Sequence, residues 1–375
     1  MTRTLYWYSI STFLIALATG TSPSCLAQQA SRQERIFSSW DKNRDGALER
    51  SEVPPGPRRI FDKIDQNKDG KISLAEHLAG TGSAPSRPQT ATDSQFQQHT
   101  IRQVWPQEPN GFNREFFVHV PASTPQSNRA TTNRWPITFV FHGNGGSAQR
   151  TIGKWPRLFT DHLIVSPQGY QRSWNISNEK SKAPDVEFFR LILQELTKKY
   201  PQADTSRISL IGFSNGAGYI YRLLIELEEE AGIINAVPIV SSLLEDQYHD
   251  GSFWKRSDNS SPDYDLQAAP NGKRHILTVH GTADRVVPYQ GGMRGRTAKH
   301  LSAQETAHAL AKLQGYRGPR LPDDQGKPLG PDIIRYHYPE AQVTHLKIIN
   351  GSHGLGPAGQ KVHELLRDFI SNNLP

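Results

Sequence analysis

Residues 210–218 read LIGFSNGAG and join an apolar segment to a serine that has glycines two positions before and two positions after it. The segment before Ser214 predicts a buried β-strand, and the residues after it, GAGYIYRLLIELEE, predict a helix. An ordinary loop is also rich in Gly, Ser and Asn, but it does not require glycine on both sides of one serine. The pattern G-x-S-x-G between a strand and a helix therefore predicts a tight turn that exposes the Ser214 hydroxyl.

The chain from about residue 100 onwards alternates β-rich segments with helical patterns. The predicted strands are 115–121, 136–142, 162–167, 207–213, 236–242, 275–281 and 344–350, and the predicted helices include 185–200 and 303–316. This alternation predicts an α/β fold, in which a mostly parallel sheet is covered by helices on both faces. In such open sheets, functional side chains gather at the carboxyl ends of the strands.

A serine hydroxyl becomes a nucleophile when a base takes its proton and an acid orients that base. Asp284 and His353 each follow the end of a predicted strand, in the order Ser, Asp, His that this type of turn requires. We predict Ser214 as the nucleophile, His353 as the base and Asp284 as the orienting acid. His280 lies before its turn and His345 at a strand start, so neither is expected to reach the serine. A capping aspartate and an exposed loop histidine are the alternative interpretations of the two partners.

The glycine-rich segment HGNGG at 142–146 follows an earlier predicted strand. Glycine lets the backbone approach a substrate closely, so N–H groups of this segment can stabilise a developing oxyanion. We predict the backbone N–H groups of Asn144 and Asn215 as these donors, although the choice within 143–146 stays open. Trp174 and Phe213 are predicted to line the substrate pocket, and a place in the core is the alternative for Trp174.

Two 12-residue segments of one design precede this region, DKNRDGALERSE at 41–52 and DQNKDGKISLAE at 65–76. Both place oxygen side chains at positions 1, 3 and 5, glycine at position 6 and glutamate at position 12. This spacing surrounds a calcium ion with about six to eight oxygens. The predicted ligands of two Ca²⁺ sites are Asp41, Asn43, Asp45, Ala47 (backbone carbonyl), Glu49 and Glu52, and Asp65, Asn67, Asp69, Lys71 (backbone carbonyl), Ser73 and Glu76. Acidic turns that bind no metal are the alternative.

These two loops resemble the EF-hand family over residues 31–80. Pro54, Pro55 and Pro57 lie between the loops, and proline disrupts helix interiors, so the intervening helices are expected to be short. The chain contains only two methionines, and therefore no Met-rich groove of the calmodulin type is expected. We interpret the pair as a structural or docking module, with dockerin-like binding of a partner as the alternative.

The N-terminus has the pattern of a secretory signal peptide over residues 1–27. Arg3 precedes an apolar stretch from Ile10 to Ala18, and small residues stand before Gln28. The stretch is shorter than the ~20 residues of a spanning helix, so we expect a secreted or periplasmic protein without a transmembrane segment in its mature form. An uncleaved anchor and a lipid on Cys25 are the alternatives. Cys25 is the only cysteine, so no disulfide is expected after cleavage.

The predicted layout is a signal peptide at 1–27, an EF-hand pair at 31–80, a linker at 81–95 and a catalytic domain at 96–375. The linker is assigned because it is rich in Ser, Thr, Pro and Gln and has almost no apolar residues. The net charge of +7 arises from 43 Lys and Arg against 36 Asp and Glu. Because no basic block is present, a nucleic-acid partner is not expected.

Five segments of the predicted catalytic domain resemble the secreted α/β-hydrolases that include poly(3-hydroxybutyrate) depolymerases and feruloyl or acetylxylan esterases. They are HGNGG, PQGYQRSW, DVEFFRLIL, DTSRISLIGFSNGAG and HGTADRVVPYQGG, within about residues 100–375. The resemblance implies cofactor-free hydrolysis, through an acyl-enzyme, of a polymeric ester: a plant cell-wall polysaccharide ester or a polyester. The sequence departs from that family around His353, where NGSHGLGP replaces Gly-Gly-His followed by an aromatic residue and proline, and it lacks the family's disulfides.

Two other functions are compatible with these motifs. A serine peptidase of the prolyl-peptidase type shares the turn and the order of the triad, and a non-catalytic, calcium-dependent docking protein would carry a vestigial triad. The residues leave open which ester is the substrate.

Overall fold

The computed structural model describes residues 36–43, 45–80, 96–122, 134–227, 232–258, 263–270, 273–294 and 298–374. The predicted signal peptide (1–27) and linker (81–95) lie outside these ranges. The chain divides into two compact units, with the boundary between Asp93 and Ser94. Within the described ranges, no helix combines the length and the apolar character that crossing a membrane requires.

The N-terminal unit consists of short elements around the two predicted metal loops. After a helical turn at residues 36–40, its elements are β1 (Ala47–Glu49), α1 (Pro55–Arg58), α2 (Phe61–Ile64), β2 (Lys71–Ser73) and α3 (Leu74–Gly80). The two helices between the loops have four residues each, in keeping with the prolines there. β1 and β2 pair antiparallel with Leu48 opposite Ile72, and both side chains are buried with Phe37, Phe61 and Ile64 in a small core.

The second unit contains most of the regular structure. Its strands are β3 (Gln97–Trp105), β4 (Glu108–His119), β5 (Trp135–Phe141), β6 (Leu163–Pro167), β7 (Ala203–Phe213), β8 (Ile233–Ile239), β9 (Tyr248–His249), β10 (Ser252–Lys255), β11 (Leu266–Ala268), β12 (His275–Gly281), β13 (Gly292–Arg294), β14 (Ala298–His300), β15 (Lys327–Pro328), β16 (Ile333–Tyr338) and β17 (Val343–Ile348). Its helices are α4 (Ala148–Ile152), α5 (Asp185–Lys199), α6 (Asn215–Glu226), α7 (Ala303–Leu313) and α8 (Gly359–Asn373). Short 3₁₀ turns lie at Trp155–Arg157, Tyr170–Arg172, Glu245–Gln247, Asp323–Gln325, Pro339–Ala341 and Gly356–Ala358.

Ten of these strands form one sheet in the order β15-β16-β17-β12-β8-β7-β5-β6-β4-β3. The six central strands, from β17 to β6, run parallel to their neighbours, and the outer strands pair antiparallel. Strands β5 and β6 are buried at every position, as expected for parallel strands covered on both faces. The predicted α/β-hydrolase architecture, a mostly parallel sheet preceded by a small unit, is confirmed.

Helices cover the sheet on both faces and define two cores. Phe139 and Leu210 point toward one face, where they pack in one cluster with side chains of α5, α6 and α7. The adjacent residues Val140 and Ile211 point to the other face, where they pack with side chains of α4 and α8. Because successive strand residues alternate between faces, the continuous apolar runs of the sequence supply both cores.

Two segments outside the predicted strands and helices, 243–274 and 317–340, contain strands that the sequence did not reveal. The first holds β9, β10 and β11, which form a separate three-stranded sheet, and the second holds β16, a strand of the main sheet. Strands β9, β10 and β11 were missed because, at two to four residues each, they lack a sufficient run of apolar residues. Strand β3 was missed for a related reason: it is an edge strand with mostly exposed or half-buried side chains.

Candidate active site

Ser214 occupies a strained turn between the end of β7 and the first residue of α6. Its backbone has φ 54° and ψ −118°, a conformation that residues with side chains seldom adopt. A Cβ on Gly212 would lie 2.4 Å from the carbonyl oxygen of Gly216, and a Cβ on Gly216 would lie 2.6 Å from the carbonyl oxygens of Phe141 and His142. The two glycines are therefore required by backbone atoms that cannot move aside, as the G-x-S-x-G pattern suggested.

His353 and Asp284 are joined by a hydrogen bond of 2.8 Å between the histidine Nδ1 and the carboxylate Oδ2. The other carboxylate oxygen, Oδ1, accepts the backbone N–H groups of Val286 at 2.8 Å and Val287 at 3.0 Å. The Asp284 side chain is fully buried, while that of His353 is 28% exposed. The histidine can therefore reach solvent or a substrate while the carboxylate orients it.

His280 contributes a third group to this arrangement. Its Nε2 lies 3.3 Å from Asp284 Oδ2 and 2.9 Å from the carbonyl oxygen of Val287. Burial by itself would raise the pKa of Asp284, but hydrogen bonds from His280, His353 and the two backbone N–H groups outweigh it. The pKa of Asp284 consequently lies well below its usual value, and the carboxylate is ionised. From the sequence, His280 was considered only for the role of base, and this contact was not predicted.

The three predicted residues follow strands that end at the same edge of the sheet. Ser214 follows β7, Asp284 follows β12 and His353 follows β17, all within the parallel set β17-β12-β8-β7. The loops after β12 and β17 are tied together, because Ala283 N–H donates to the Gly351 carbonyl at 2.9 Å. The fold thus joins Asp284 to His353 directly and places Ser214 at the same edge. His345, by contrast, is buried, and its ring nitrogens lie 2.9 Å from the hydroxyls of Thr278 and Tyr289.

The glycine-rich loop at 142–146 lies against the serine. A Cβ on Gly143 would lie 3.4 Å from the carbonyl oxygen of Phe213 and 3.5 Å from the Cβ of Ser214, so the loop is close to the turn that holds the serine. Asn144 is exposed, and Asn215 is buried at the start of α6 with its side-chain Oδ1 accepting the Trp174 backbone N–H at 2.7 Å. Within the described part of the chain, no acceptor is bound by the backbone N–H of Asn144 or Asn215. Both N–H groups are therefore available to an acceptor, as the predicted role requires.

His142 holds this loop in place through hydrogen bonds of its ring. Its Nε2 accepts the Gly169 backbone N–H at 3.0 Å, so the proton of the neutral ring lies on Nδ1 and is donated to the Gly143 carbonyl at 2.8 Å. Burial lowers the pKa of His142, which keeps the ring neutral. The motif HGNGG indicated where the loop lies, but the supporting role of its histidine became apparent only from these contacts.

The predicted placement of Trp174 in the substrate pocket is wrong. Its side chain has no exposed surface, stacks on Tyr219 with ring centroids 4.6 Å apart, and donates from Nε1 to the His142 carbonyl at 2.9 Å. The indole therefore belongs to the core beneath the glycine-rich loop. Phe213 is half-buried and does line a cavity, of about 390 Å³, beside Gly143.

The two N-terminal loops share one geometry. Gly46 and Gly70 both have φ 82°, the left-handed conformation that position 6 requires. The Oδ2 atoms of Asp41 and Asp65 accept the N–H groups of these glycines at 3.1 and 2.9 Å. The Oδ1 atoms of both aspartates are buried without a hydrogen-bond partner among the described residues. Since a buried oxygen seeks a partner, each loop offers a cation an unsatisfied ligand at position 1.

The position-12 glutamates are held by their own loops. Glu52 accepts backbone N–H groups of Glu49, Lys42 and Asn43, and Glu76 accepts the equivalent groups of the second loop. These bonds, led by those from Glu49 and Ser73, lower the pKa of each glutamate, so both are ionised. In the described ranges, no three His, Cys, Asp or Glu side chains form a preassembled metal cluster. The predicted sites also rely on Asn, Ser and carbonyl oxygens, which suit calcium.

One family model matches a short part of the chain. The EF-hand family model matches residues 58–76, which include the second loop but not the first. By sequence, no curated protein gives a significant match.

Several solved structures are similar to this chain. A puromycin-hydrolyzing peptidase of Mycobacterium tuberculosis is 16% identical, with 78% of this chain and 41% of that chain covered and a TM-score of 0.45. A Bacillus cereus carboxylesterase is 14% identical over 70% of this chain and 95% of its own, with a TM-score of 0.41. An S-formylglutathione hydrolase of Staphylococcus aureus is 12% identical over 74% and 100%, with a TM-score of 0.40. The chain spans less than half of the peptidase, and similarities at this level assign no activity.

Proposed function

We propose that this protein is a serine carboxylic-ester hydrolase in which Ser214, His353 and Asp284 form the catalytic triad. The observation that carries the proposal is the 2.8 Å bond between His353 Nδ1 and Asp284 Oδ2, at the sheet edge where Ser214 stands in its strained turn. A histidine oriented by a buried, ionised carboxylate is the base that a serine nucleophile needs.

In the proposed reaction, His353 Nε2 takes the proton of the Ser214 hydroxyl while the oxygen attacks the ester carbonyl. The negative charge that develops on the carbonyl oxygen is stabilised by the backbone N–H groups of Asn144 and Asn215, and one such donor is worth ~10²–10³ in rate. The alcohol then leaves with the proton from His353, and an acyl-enzyme remains on Ser214. Water, deprotonated by His353, attacks the acyl carbonyl, and the acid and the free serine are released.

The substrate class follows from the resemblance to secreted α/β-hydrolases rather than from the geometry. We propose feruloyl or acetyl esters of plant cell-wall polysaccharides, or a polyhydroxyalkanoate-type polyester, as the substrate, and export from the cytoplasm as the route by which the enzyme meets it. The cavity beside Gly143 is open to solvent, which suits one end of a polymer. We further propose that the loops at 41–52 and 65–76 bind two Ca²⁺ ions through the ligands named above. Bound calcium there would supply stability to the N-terminal unit, and the hydrolytic steps do not involve it.

The test is hydrolysis of p-nitrophenyl acetate, methyl ferulate and short polyhydroxybutyrate by the wild type and Ser214→Ala. We expect the variant to lose at least about 10⁴-fold in kcat. Ser257→Ala is the matched control, because Ser257 is exposed and, within the described ranges, its hydroxyl bonds only to the exposed Asp265. Turnover that survives in Ser214→Ala would refute the triad. Comparison of an ester with the amide of the same acyl group distinguishes an esterase from a peptidase.

A further inference from the structure

Among the residues that the structure describes, three cations and no carboxylate line the cavity next to Ser214. Arg150, Lys154 and Arg172 line it together with residues of the glycine-rich loop, Ser147, Thr151 and Phe213. Two of the lining residues adjoin the serine: Phe213 precedes Ser214 in the chain, and a Cβ on Gly143 would lie 3.5 Å from the Ser214 Cβ. A substrate group in this cavity would therefore lie close to the scissile bond of an ester held at Ser214.

Arg172 is positioned by the loop that it faces. Its carbonyl oxygen accepts the Gly145 N–H at 2.8 Å, and its Nε donates to the Gly146 carbonyl at 3.2 Å. Its backbone has a positive φ of 62°, and the preceding residue, Gln171, also has a positive φ, of 50°. Two successive non-glycine residues in this conformation cost conformational energy, and such strain is concentrated at ligand sites.

Lys154 is positioned by aromatic rings. Its Nζ lies 4.6 Å from the ring centroid of Phe213 and 4.8 Å from that of Trp155, within the range of a cation–π contact. Partial removal from water lowers the pKa of Lys154, and no carboxylate of the described residues offsets this effect. A lysine on a soluble surface normally remains hydrated or pairs with an acid, so its place at this cavity wall calls for an anionic partner.

Three like charges around one cavity repel each other, and the repulsion is relieved when an anion binds between them. From this arrangement we infer that the cavity binds an anionic group, a carboxylate or a comparable oxyanion, carried by the ester substrate on its acyl or its alcohol side. The inference rests on the proposed esterase function and narrows its substrate class to negatively charged esters. Arg150 and Arg172 supply planar donors that match two oxygens of such a group, and Lys154 supplies a point charge.

The experiment compares two pairs of esters that differ only in charge. On the acyl side, mono-4-nitrophenyl glutarate is compared with 4-nitrophenyl pentanoate, and on the alcohol side, 4-carboxyphenyl acetate is compared with its methyl ester. We expect the anionic member of at least one pair to have the higher kcat/KM in the wild type. The double variant Arg150→Gln/Lys154→Gln should lower kcat/KM for that member by about tenfold, as two exposed charge pairs would. For the neutral ester of the pair, kcat/KM should change by less than about twofold, and this retained activity also shows that the variant folds.

The control variant is Lys198→Gln. Lys198 is an exposed cation in the last turn of α5, next to the amino end of β7 and hence at the opposite edge of the sheet. Lys198→Gln should leave the ratio of kcat/KM between the anionic and the neutral ester unchanged in both pairs. In the wild type, this ratio should fall as salt is added, because the cations are exposed.

The possible results separate the two claims. If Ser214-dependent turnover of neutral esters is found but neither anionic ester is preferred or affected by the double variant, the inference is wrong and the esterase function stands. If no ester is cleaved, the esterase function is refuted. Calorimetric titration of Ser214→Ala with glutarate then tests whether the cavity binds an anion. Binding that is lost in Ser214→Ala/Arg150→Gln/Lys154→Gln supports the site, and no binding in either protein refutes it.

Discussion

Replacement of Asp284 by Asn is informative because the structure fixes how the new amide would lie. The backbone N–H groups of Val286 and Val287 both donate to Oδ1, and only the amide oxygen of Asn can accept them. The NH₂ group must then occupy the place of Oδ2, where it faces His353 Nδ1 at about the present 2.8 Å and His280 Nε2 at 3.3 Å.

This orientation reverses the roles of the two nitrogens of His353. Since the NH₂ group donates, Nδ1 must accept, and the proton of the neutral ring moves to Nε2. The nitrogen that should take the proton of Ser214 is then already protonated. A triad with the wrong tautomer loses ~10⁴ in kcat, which corresponds to about 5 kcal/mol of transition-state stabilisation at ~1.4 kcal/mol per tenfold change.

The same substitution has a pH-dependent effect on stability. The pKa of Asp284 is lowered in the folded protein, so the ionised carboxylate contributes stability that is fully present above its unfolded pKa of ~3.9. This contribution is lost as the pH falls through the folded value. Asp284→Asn should therefore melt at a lower temperature than the wild type at pH 7, and the difference should narrow below about pH 4.

The assay is kcat for p-nitrophenyl acetate at pH 7–8, with thermal melting at pH 7 and at progressively lower pH. Asp265→Asn is the control, because Asp265 is exposed and Ser257 is the one described residue whose side chain bonds to its carboxylate. If Asp284→Asn keeps kcat within tenfold of the wild type, the orientation of His353 does not depend on Asp284 and the proposed triad is refuted.

Three further changes test other parts of the structure. His280→Ala leaves the buried carboxylate with one donor fewer and should cost about 1–3 kcal/mol of stability at pH 7; unaltered urea unfolding would show that the 3.3 Å contact is unimportant. Gly212→Ala places a Cβ 2.4 Å from a backbone oxygen and should destabilise by ~1–3 kcal/mol or more, whereas Gly359→Ala, with φ −57° and open space around it, should not. Glu52→Gln and Glu76→Gln should each weaken calcium binding at least about tenfold in one loop, because the position-12 carboxylate supplies two ligands; calorimetry that shows one site or none in the wild type would contradict the two-loop proposal.

The features that could be predicted from the sequence have local causes. The turn at Ser214 follows from glycine spacing, because the atoms that exclude a Cβ at Gly212 and Gly216 belong to the same strand–turn–helix unit or to the neighbouring strand. Strand β12 was predicted with its observed bounds, 275–281, because a buried parallel strand is a continuous apolar run bounded by a turn signal. The short pairing of Leu48 with Ile72 also has a local cause, because both residues stand at position 8 of their loops.

The features that could not be predicted depend on distant contacts. An aromatic residue beside a functional loop lines either the pocket or the core, and only the stacking of Trp174 on Tyr219 decides between the two. Strand β16 was missed because its segment forms a strand of the main sheet through its pairing with β17, which the residues of β16 alone do not indicate. The sequence also separates Arg172 from Arg150 and Lys154, so their common cavity appears only after β5 and β6 are placed side by side.

The glycine-rich loop links the chemistry of the site to recognition of its substrate. His142 fixes one side of this loop through the Gly143 carbonyl, and Arg172 fixes the other through Gly145 and Gly146. The loop that presents the proposed oxyanion donor at Asn144 is thus held by the same arginine that lines the cationic cavity. An anion bound to the Arg172 guanidinium would act on a residue that already restrains these backbone groups. Binding of a charged substrate would consequently help to hold the N–H groups in place, and the pocket and the oxyanion site are best regarded as one structural unit.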